Sequence, residues 1–421
     1  MNCLRVYVGG YVLLITTRIL KVAAEISSEI ADIRQRIHRY PELAYEEVQT
    51  SRLISHTLAN IGIPFEAGVC ETGVIGMIRG NGGIDTPQHQ CNAEGNKVVA
   101  LRADMDALPI MEKTNCPYGS ERPGLMHACG HDGHVAILLG AAMILSRLRH
   151  ELSGDVKLIF QPGEEAGDAA GKMIDAGVLR DPKVSHIFAV HLWPELAVGR
   201  IGINYGPAMA GAVAFNIKIG GQAGHCGMPH EAIDALTIAT QIVNMLQLVV
   251  SRQSDPFDPV VLNVGLLRSG YRRNVVAEEA EISGTIRTLK EQTTNRVCRS
   301  IEKITAGVCD ALGGEYQLCY PARVSPTVND DFCTKIAESA AQELFGNGSV
   351  ECLRNPNMTS EDFSAYLDVI PGAFIKVGTH DDAKGYIHPL HSPKFDFGVE
   401  PMVKGAALLA YVAYKTLELS R

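Results

Sequence analysis

The feature that most constrains this chain is a set of three apolar runs that each end in polar side chains able to bind a metal ion. An Ala- and Leu-rich segment, 134–148, lies between the first two runs and predicts a helix. Strands that alternate with helices predict a parallel sheet, and such sheets bind ligands beyond the carboxyl ends of their strands. The predicted fold class is therefore α/β, with a site at one edge of a mostly parallel sheet. The runs and their ends are 97–103 with Asp104 and Asp106, 155–163 with Glu164 and Glu165, and 185–190 with His191.

Length and composition limit the partners and the location. The chain has 421 residues, which at ~150 residues per domain favours two or three domains. Its formal net charge of −9 argues against nucleic acid as a partner, because such binding needs a basic surface. No uninterrupted apolar stretch reaches the ~18 residues of a membrane span, so no membrane partner is expected. The 11 cysteines are odd in number and scattered, which indicates a reducing compartment and predicts a cytoplasmic protein.

The N-terminal segment, residues 1–21, leaves three interpretations open. Arg5 precedes an apolar run, 6–15, of about the size of a signal-peptide core. Gly9 and Gly10 interrupt this run, and no small-residue cleavage site follows it. The segment is therefore a signal or anchor, a loosely packed extension, or the product of a start assigned too early.

The hydrophobic pattern predicts one domain interrupted by another. From about Ala212 the elements follow a β-α-β-β-α-β order, which is typical of a ferredoxin-like α+β module. The sheet face or edge that such a module leaves uncovered favours self-association. A polar, Gly-containing segment, 80–96, predicts a surface loop. The predicted domains are an extension (1–21), an α/β domain in two parts (22–205 and 322–421), and an inserted domain (206–321).

The segment 126–134 contains three histidines, one cysteine and one aspartate. Cys129 and His131 lie two residues apart around Gly130, a spacing that suits chelation of zinc and similar ions. The following helix is predicted to begin near Asp132, as its N-cap, so that the helix dipole favours the Cys129 thiolate. We interpret the remaining histidines, His127 and His134, as structural.

Glu164 and Glu165 are adjacent, and an extended backbone would direct their side chains to opposite sides. We therefore expect one glutamate to bind metal and the other to act as a general base. The sequence lacks the motifs of serine hydrolases, His-Glu-x-x-His metallopeptidases, P-loop proteins and dinucleotide-binding folds. A thiol hydrolase built on Cys129 and His131 is an alternative, but it leaves both glutamates and His191 without a role.

Eight motifs, in order along the chain, resemble the metallo-amidohydrolase branch of the aminoacylase/carboxypeptidase clan. That branch includes hippurate hydrolases, plant auxin–amino-acid conjugate hydrolases and N-acetyl-diaminopimelate deacetylases, and the resemblance runs from about His38 to the C-terminus. The motifs are Leu101–Pro109, Met126–His134, Gln161–Glu165, His191–Pro194, Gly224–His225, Gly284–Thr288, Ser360–Phe363 and Leu390–Pro393.

The resemblance implies a site with two divalent metal ions per subunit. Glu164 would be the general base, and Asp106 would hold the metal ligands in position without binding the metal itself. The wider clan has His-x-Asp where this chain has Asp104-Met-Asp106, a departure that makes Asp104 an improbable ligand. Zn or Mn is the expected metal, and Co and Ni are compatible with the same ligands. The implied ligands are Cys129, His131, Glu165, His191 and His391.

The resemblance also assigns residues of the inserted domain, which it identifies as a dimerisation or lid domain. His225 would reach the substrate, either in its own subunit or in the partner subunit of a homodimer. It would help a metal ion to stabilise the oxyanion. Asn274 and Arg287 would hold the carboxylate of an amino acid, a group that the fork of an arginine binds in a bidentate manner.

The implied reaction is hydrolysis of the amide bond of a small N-acyl amino acid. Two ions ~3.5–4 Å apart would lower the pKa of a shared water toward ~7, giving a metal-bound hydroxide, with Glu164 moving the protons. A metallo-exopeptidase that cleaves dipeptides is the nearest alternative. A non-catalytic metal-binding protein is the alternative from another class.

Overall fold

The computed structural model describes residues 2–80 and 97–419, with side chains from residue 12 onward. From residue 81 the predicted loop 80–96 lies outside the described residues. The chain forms two compact units. Unit 1 comprises 1–206, 328–355 and 365–421, and unit 2 comprises 207–327 and 356–364.

The secondary structure alternates strands and helices over most of its length. The helices are α1 (Asn2–Glu25), α2 (Ser27–Arg39), α3 (Val48–Asn60), α4 (His131–Arg147), α5 (Ala169–Asp175), α6 (Ala235–Gln253), α7 (Glu291–Leu312), α8 (Asp331–Phe345), α9 (Ser364–Leu367) and α10 (Val399–Leu419). The first strands are β1 (Phe65–Val69), β2 (Gly73–Ile78), β3 (Val98–Asp104), β4 (Asp155–Gln161), β5 (His186–Ala197), β6 (Ile201–Ile203), β7 (Gly206–Met209) and β8 (Gly211–Gly220). The later strands are β9 (Gly224–His225), β10 (Val260–Ser269), β11 (Val275–Val276), β12 (Glu279–Thr288), β13 (Glu315–Val324), β14 (Thr327–Asn329), β15 (Val350–Cys352) and β16 (Gly372–His380).

Unit 1 is built on an eight-stranded sheet with the order β1-β2-β4-β3-β5-β16-β6-β15. Its centre is parallel, because β3 pairs in parallel with both β4 and β5, and β5 pairs in parallel with β16. The pairs β1–β2, β2–β4 and β16–β6 are antiparallel. The predicted α/β class with a mostly parallel sheet is confirmed.

The core of unit 1 lies between this sheet and a layer of helices. Helix α4 packs against α10, α2 and strand β3, and its residues 131–145 are buried on every side. An apolar helix of this kind belongs inside a layered fold. The apolar residues Ile15, Ile19 and Ala23 of α1 belong to the same core, so the predicted boundary after residue 21 falls within a continuous helix.

Unit 2 has a four-stranded antiparallel sheet with the order β10-β12-β8-β13. Helices α6 and α7 contribute buried residues to its core, together with alternate residues of β8. The succession β8-α6-β10-β12-α7-β13 is the β-α-β-β-α-β order predicted from the sequence. The α+β, ferredoxin-like character of this part of the chain is confirmed.

A helix that crosses a membrane needs about 20 predominantly apolar residues. Within the described residues, no helix combines the length and the apolar character needed to cross a membrane.

Candidate metal centre

The parallel strands of unit 1 bring the polar ends of the apolar runs to one edge of the sheet. The register of β3 and β4 pairs Asp104 with Gln161, so the segments that follow these two strands leave the sheet side by side. Strand β5 continues beyond His191 to Ala197, further than its apolar run predicts. His191 is therefore held inside a strand, whereas Asp106 lies just beyond the end of β3 and Glu165 lies on a short turn.

Two glycines with positive φ shape the turns that carry the ligands. Gly130, at φ 89°, precedes α4, and Gly163, at φ 64°, precedes a short 3-10 turn, Glu164–Ala166. The prediction that Glu164 and Glu165 point to opposite sides is wrong, because this turn replaces an extended backbone. Each glutamate instead offers a carboxylate oxygen within 4.8 Å of the other and of a ring nitrogen of His131.

The remaining predicted ligands converge on the same place. Potential ligand atoms of Cys129, His131 and His191 lie within 4.8 Å of one another, and so do those of Cys129, Glu165 and His391. The Cys129 Sγ lies 3.6 Å from the Nε2 of His191. The structure thus brings all five predicted ligands and Glu164 into one cluster, although His391 remains half exposed.

Hydrogen bonds orient both buried imidazoles with Nε2 toward this cluster. His131 Nδ1 lies 3.1 Å from Asp106 Oδ1, and His191 Nδ1 donates to the Leu192 carbonyl at 2.7 Å. The Nε2 of His131 is buried and has no hydrogen-bond partner among the described residues. Metal-binding histidines use their other ring nitrogen in this way.

The electrostatics of the cluster suit a bound cation. Burial raises the pKa of the Cys129 thiol well above its ordinary value, so the predicted effect of the helix dipole does not prevail. Burial, together with the neighbouring His134, lowers the pKa of His191. The neutral His191 imidazole and the Cys129 sulfur have lone pairs available, and the buried Nε2 of His131 has no hydrogen-bond partner among the described residues. This soft donor set fits zinc or a similar divalent ion.

Asp106 connects two parts of the cluster. One carboxylate oxygen faces His131, and the other accepts a hydrogen bond at 2.9 Å from the backbone N–H of Glu165. Asp104 pairs with Arg102 and with the Nδ1 of His134, each at 2.6 Å. Asp104 also lies 3.9 Å from the Nε2 of His131, and the supporting role of Asp106 stays a prediction.

A second buried carboxylate, Glu47, fixes the turn that carries the two glutamates. Its Oε1 accepts a hydrogen bond at 2.8 Å from the N–H of Gly163, and its Oε2 accepts one at 2.5 Å from the Thr72 hydroxyl. The Tyr45 ring covers Gly163 so closely that a Cβ there would lie 2.9 Å from it. The sequence does not indicate this role of Glu47, because a glutamate just before a helix is usually solvated. Its partner, Gly163, lies 116 positions away.

Replacing Glu47 with alanine is expected to lower kcat about tenfold. The substitution removes the acceptor of the Gly163 N–H, so the turn that carries Glu164 is no longer held in one position. Glu47→Gln keeps an acceptor and should retain most of the turnover. Glu42→Ala removes a comparably buried glutamate whose carboxylate accepts hydrogen bonds from Gln49 and Thr50 and lies 3.7 Å from Arg122, and it is the matched control. Initial rates at saturating substrate, beside metal content per chain, test this. Equal losses of kcat in the Glu42 and Glu47 variants would contradict it.

A buried ionic network lies behind the first turn of α4. Asp132 pairs with His38 at 2.7 Å and with the Arg34 guanidinium at 3.0 Å, and Arg34 also contacts Asp396 at 2.6 Å. The helix begins at His131 with Gly130 as its N-cap, so the prediction that Asp132 caps the helix is wrong. Its carboxylate is used instead to hold α2 against α4. His134 is fully bonded, since its Nε2 also accepts from the N–H of Leu192, as a structural histidine should be.

The three site residues predicted from the inserted domain lie in unit 2. His225 lies on strand β9, is exposed and pairs in register with Val275 of β11. Asn274 is exposed just before β11, and Arg287 on β12 donates to the Ser360 hydroxyl at 2.7 Å. Their roles stay predictions.

The fold and the cluster define a hydrolase of the metallopeptidase type, which acts on carbon–nitrogen bonds. The chain belongs to peptidase family M20/M25/M40, whose model matches residues 100–415. It is 38% identical to IAA-amino acid hydrolase ILR1-like 4 of Arabidopsis thaliana, over 91% of this chain and 85% of that protein. It is 35% identical to an N-acetylcysteine deacetylase of Bacillus subtilis, over 93% of this chain and 97% of that protein.

A solved structure agrees with this assignment. The YXEP protein of Bacillus subtilis, described as a dinuclear metal binding peptidase from the M20 family, superposes with a TM-score of 0.79. It is 32% identical, and the match covers 94% of this chain and 99% of that one.

Proposed function

We propose that this protein hydrolyses the amide bond of N-acyl amino acids with the help of two divalent metal ions. The observation that carries the proposal is the convergence of five potential ligands with a further carboxylate, Glu164, beside them. The proposed ligands are Cys129, His131, Glu165, His191 and His391.

The ions, when bound, act as Lewis acids that make water a stronger acid and polarise the amide carbonyl. Glu164 takes a proton from the attacking water and then delivers it to the leaving nitrogen, so that an acid and a free amine result. Asp106 and Glu47 hold the backbone on either side of Glu164, at Glu165 and Gly163. This keeps the base in place between the two proton transfers.

The relatives support an acyl amino acid as the substrate class. One of them is named for deacetylation of N-acetylcysteine and another for hydrolysis of IAA-amino acids. The two substrates carry different acyl groups on an amino acid. We propose that Asn274 and Arg287 bind the carboxylate and that His225 stabilises the oxyanion, as the family resemblance implies. Zinc or manganese is the proposed metal, with cobalt and nickel as further candidates, because the set combines thiolate and imidazole, which suit zinc and nickel, with carboxylate, which suits manganese.

We further propose that the inserted domain, 206–321, mediates a homodimer. Strand β13 lies at the edge of its sheet, and most of its residues are exposed. An exposed edge strand favours pairing with a second copy. The free cysteines of the described residues support a cytoplasmic location.

Amine release from a substrate panel tests the proposed activity. The panel contains N-acetyl, N-benzoyl and indole-acetyl amino acids beside dipeptides, with metal-loaded protein. Release from at least one acyl amino acid, faster than from any dipeptide, is the expected result. Faster cleavage of dipeptides favours the exopeptidase alternative, for which the description of YXEP as a peptidase is the supporting observation. Inactivity toward the whole panel, with metal bound, would overturn the proposal in favour of a non-catalytic metal-binding protein.

A further inference from the structure

Lys376 is a buried lysine whose ammonium group has no ion-pair partner in the part of the chain that the structure describes. It lies on β16, is 2% exposed, and its Nζ stands 4.2 Å from the centre of the Trp193 ring. Among the described residues no carboxylate lies within ion-pair distance and no acceptor within hydrogen-bond distance of this Nζ. Burial lowers the pKa of Lys376 to about 8, and Glu195 opposes this shift through its charge without pairing with the amine.

The other buried cations of the described chain are fully paired. The Nζ of Lys157 donates to three backbone carbonyls, those of Val178, Asp181 and Pro182, at 2.8 to 3.2 Å. The guanidinium groups of Arg34 and Arg102 each contact a buried carboxylate. A buried charge without a counter-charge is costly, and a single aromatic ring compensates only part of the cost. Lys376 therefore offers an uncompensated positive charge to an anion.

The position of Lys376 connects it with the candidate metal centre. The parallel register of β5 and β16 pairs Lys376 with His191, and the Trp193 ring lies 5.5 Å from the His191 ring. The Trp193 ring thus lies near both the ammonium group and a proposed ligand. A small substrate whose amide reaches the cluster has its own carboxylate a few bonds away from that amide.

We propose that Lys376 binds the α-carboxylate of the substrate, within unit 1, and so selects acyl amino acids over neutral amides. The inference rests on the proposed function for the identity of the carboxylate. The family resemblance assigns Asn274 and Arg287 of unit 2 to the same group, and the assignment of Lys376 does not depend on theirs.

The single tryptophan, Trp193, allows a test that does not depend on turnover. Its emission is followed in the Glu164→Gln variant during titration with N-acetyl-L-alanine, and separately with N-acetyl-L-alaninamide, which lacks the carboxylate. The expected result is a saturable change with the acid and none with the amide. Lys376→Met should weaken the response to the acid by about 10- to 100-fold, the effect of losing a charged hydrogen bond. Lys376→Arg should retain most of it.

Lys404→Met is the matched control, because its Nζ also lies near an aromatic ring, 5.6 Å from that of Phe345, but on α10. It should titrate like the parent. Equal responses to the acid and the amide, no response to either, or an unchanged response in Lys376→Met would each overturn the inference. Thermal melting of both Lys376 variants verifies that they fold.

Turnover separates this inference from the proposed function. If the emission responds to the acid while the parent enzyme releases no amine, the proposed function fails and the carboxylate subsite stands. If amine is released but Lys376→Met loses kcat/KM equally for the acid and the amide, the subsite fails and the function stands.

Discussion

Glu164→Gln is expected to lower kcat by about 10²- to 10⁴-fold, the usual contribution of general acid–base catalysis. Glutamine has almost the same shape as glutamate, but it cannot accept the proton of the attacking water. The backbone anchors at Gly163 and Glu165 do not involve the Glu164 side chain, so the turn should be kept. Metal content and melting temperature should therefore stay at their original values while turnover falls.

The measurement is single-turnover and steady-state amine release from the same metal-loaded preparation. Glu25→Gln is the matched control, because it removes a glutamate that forms only a surface ion pair with Arg147. Such a pair contributes at most about 1 kcal/mol and has no part in the reaction. Wild-type turnover in Glu164→Gln would show that another group moves the proton.

Cys129→Ser is expected to weaken metal binding by more than about 100-fold, the upper limit seen for groups that only support a ligand. A buried serine hydroxyl is a much poorer ligand for a zinc-like ion than a thiolate. Chelation of the parent protein should abolish amine release in the same way, and added metal should restore it. Metal per chain after dialysis against a competing chelator gives the direct measurement.

Cys333→Ser is the control for this substitution. Cys333 is also buried, on α8 of the same unit, where its backbone N–H donates to Asp330 at 2.9 Å. Its variant should lose some stability and keep its metal. Unchanged metal content and activity in Cys129→Ser would exclude the thiol as a ligand.

The architecture around the cluster could be predicted because it depends on local sequence. The apolar runs before Asp106, Glu165 and His191 form adjacent parallel strands, and parallel strands expose their carboxyl ends at one edge. The spacing around Gly130 likewise predicted that Cys129 and His131 would be neighbours.

The details that were wrong or missed depend on backbone conformation or on distant partners. The positive φ of Gly163 begins a turn that brings the carboxylates of Glu164 and Glu165 near each other. The two glutamates alone do not predict this turn. Asp132 looked like a helix cap but pairs with Arg34, 98 positions earlier. The roles of Lys376 and Glu47 depend on tertiary contacts, which the local sequence does not show. Periodicity reports which face of an element is buried, but it does not report what lies against that face.

The proposed two-metal hydrolysis is tested by amine release from an N-acetyl amino acid. The release is measured while a divalent metal is added stepwise to metal-free protein. No release is expected without metal, and the rate should reach its plateau at two equivalents per chain. Full activity in the metal-free protein, or no release at any metal concentration, would contradict it.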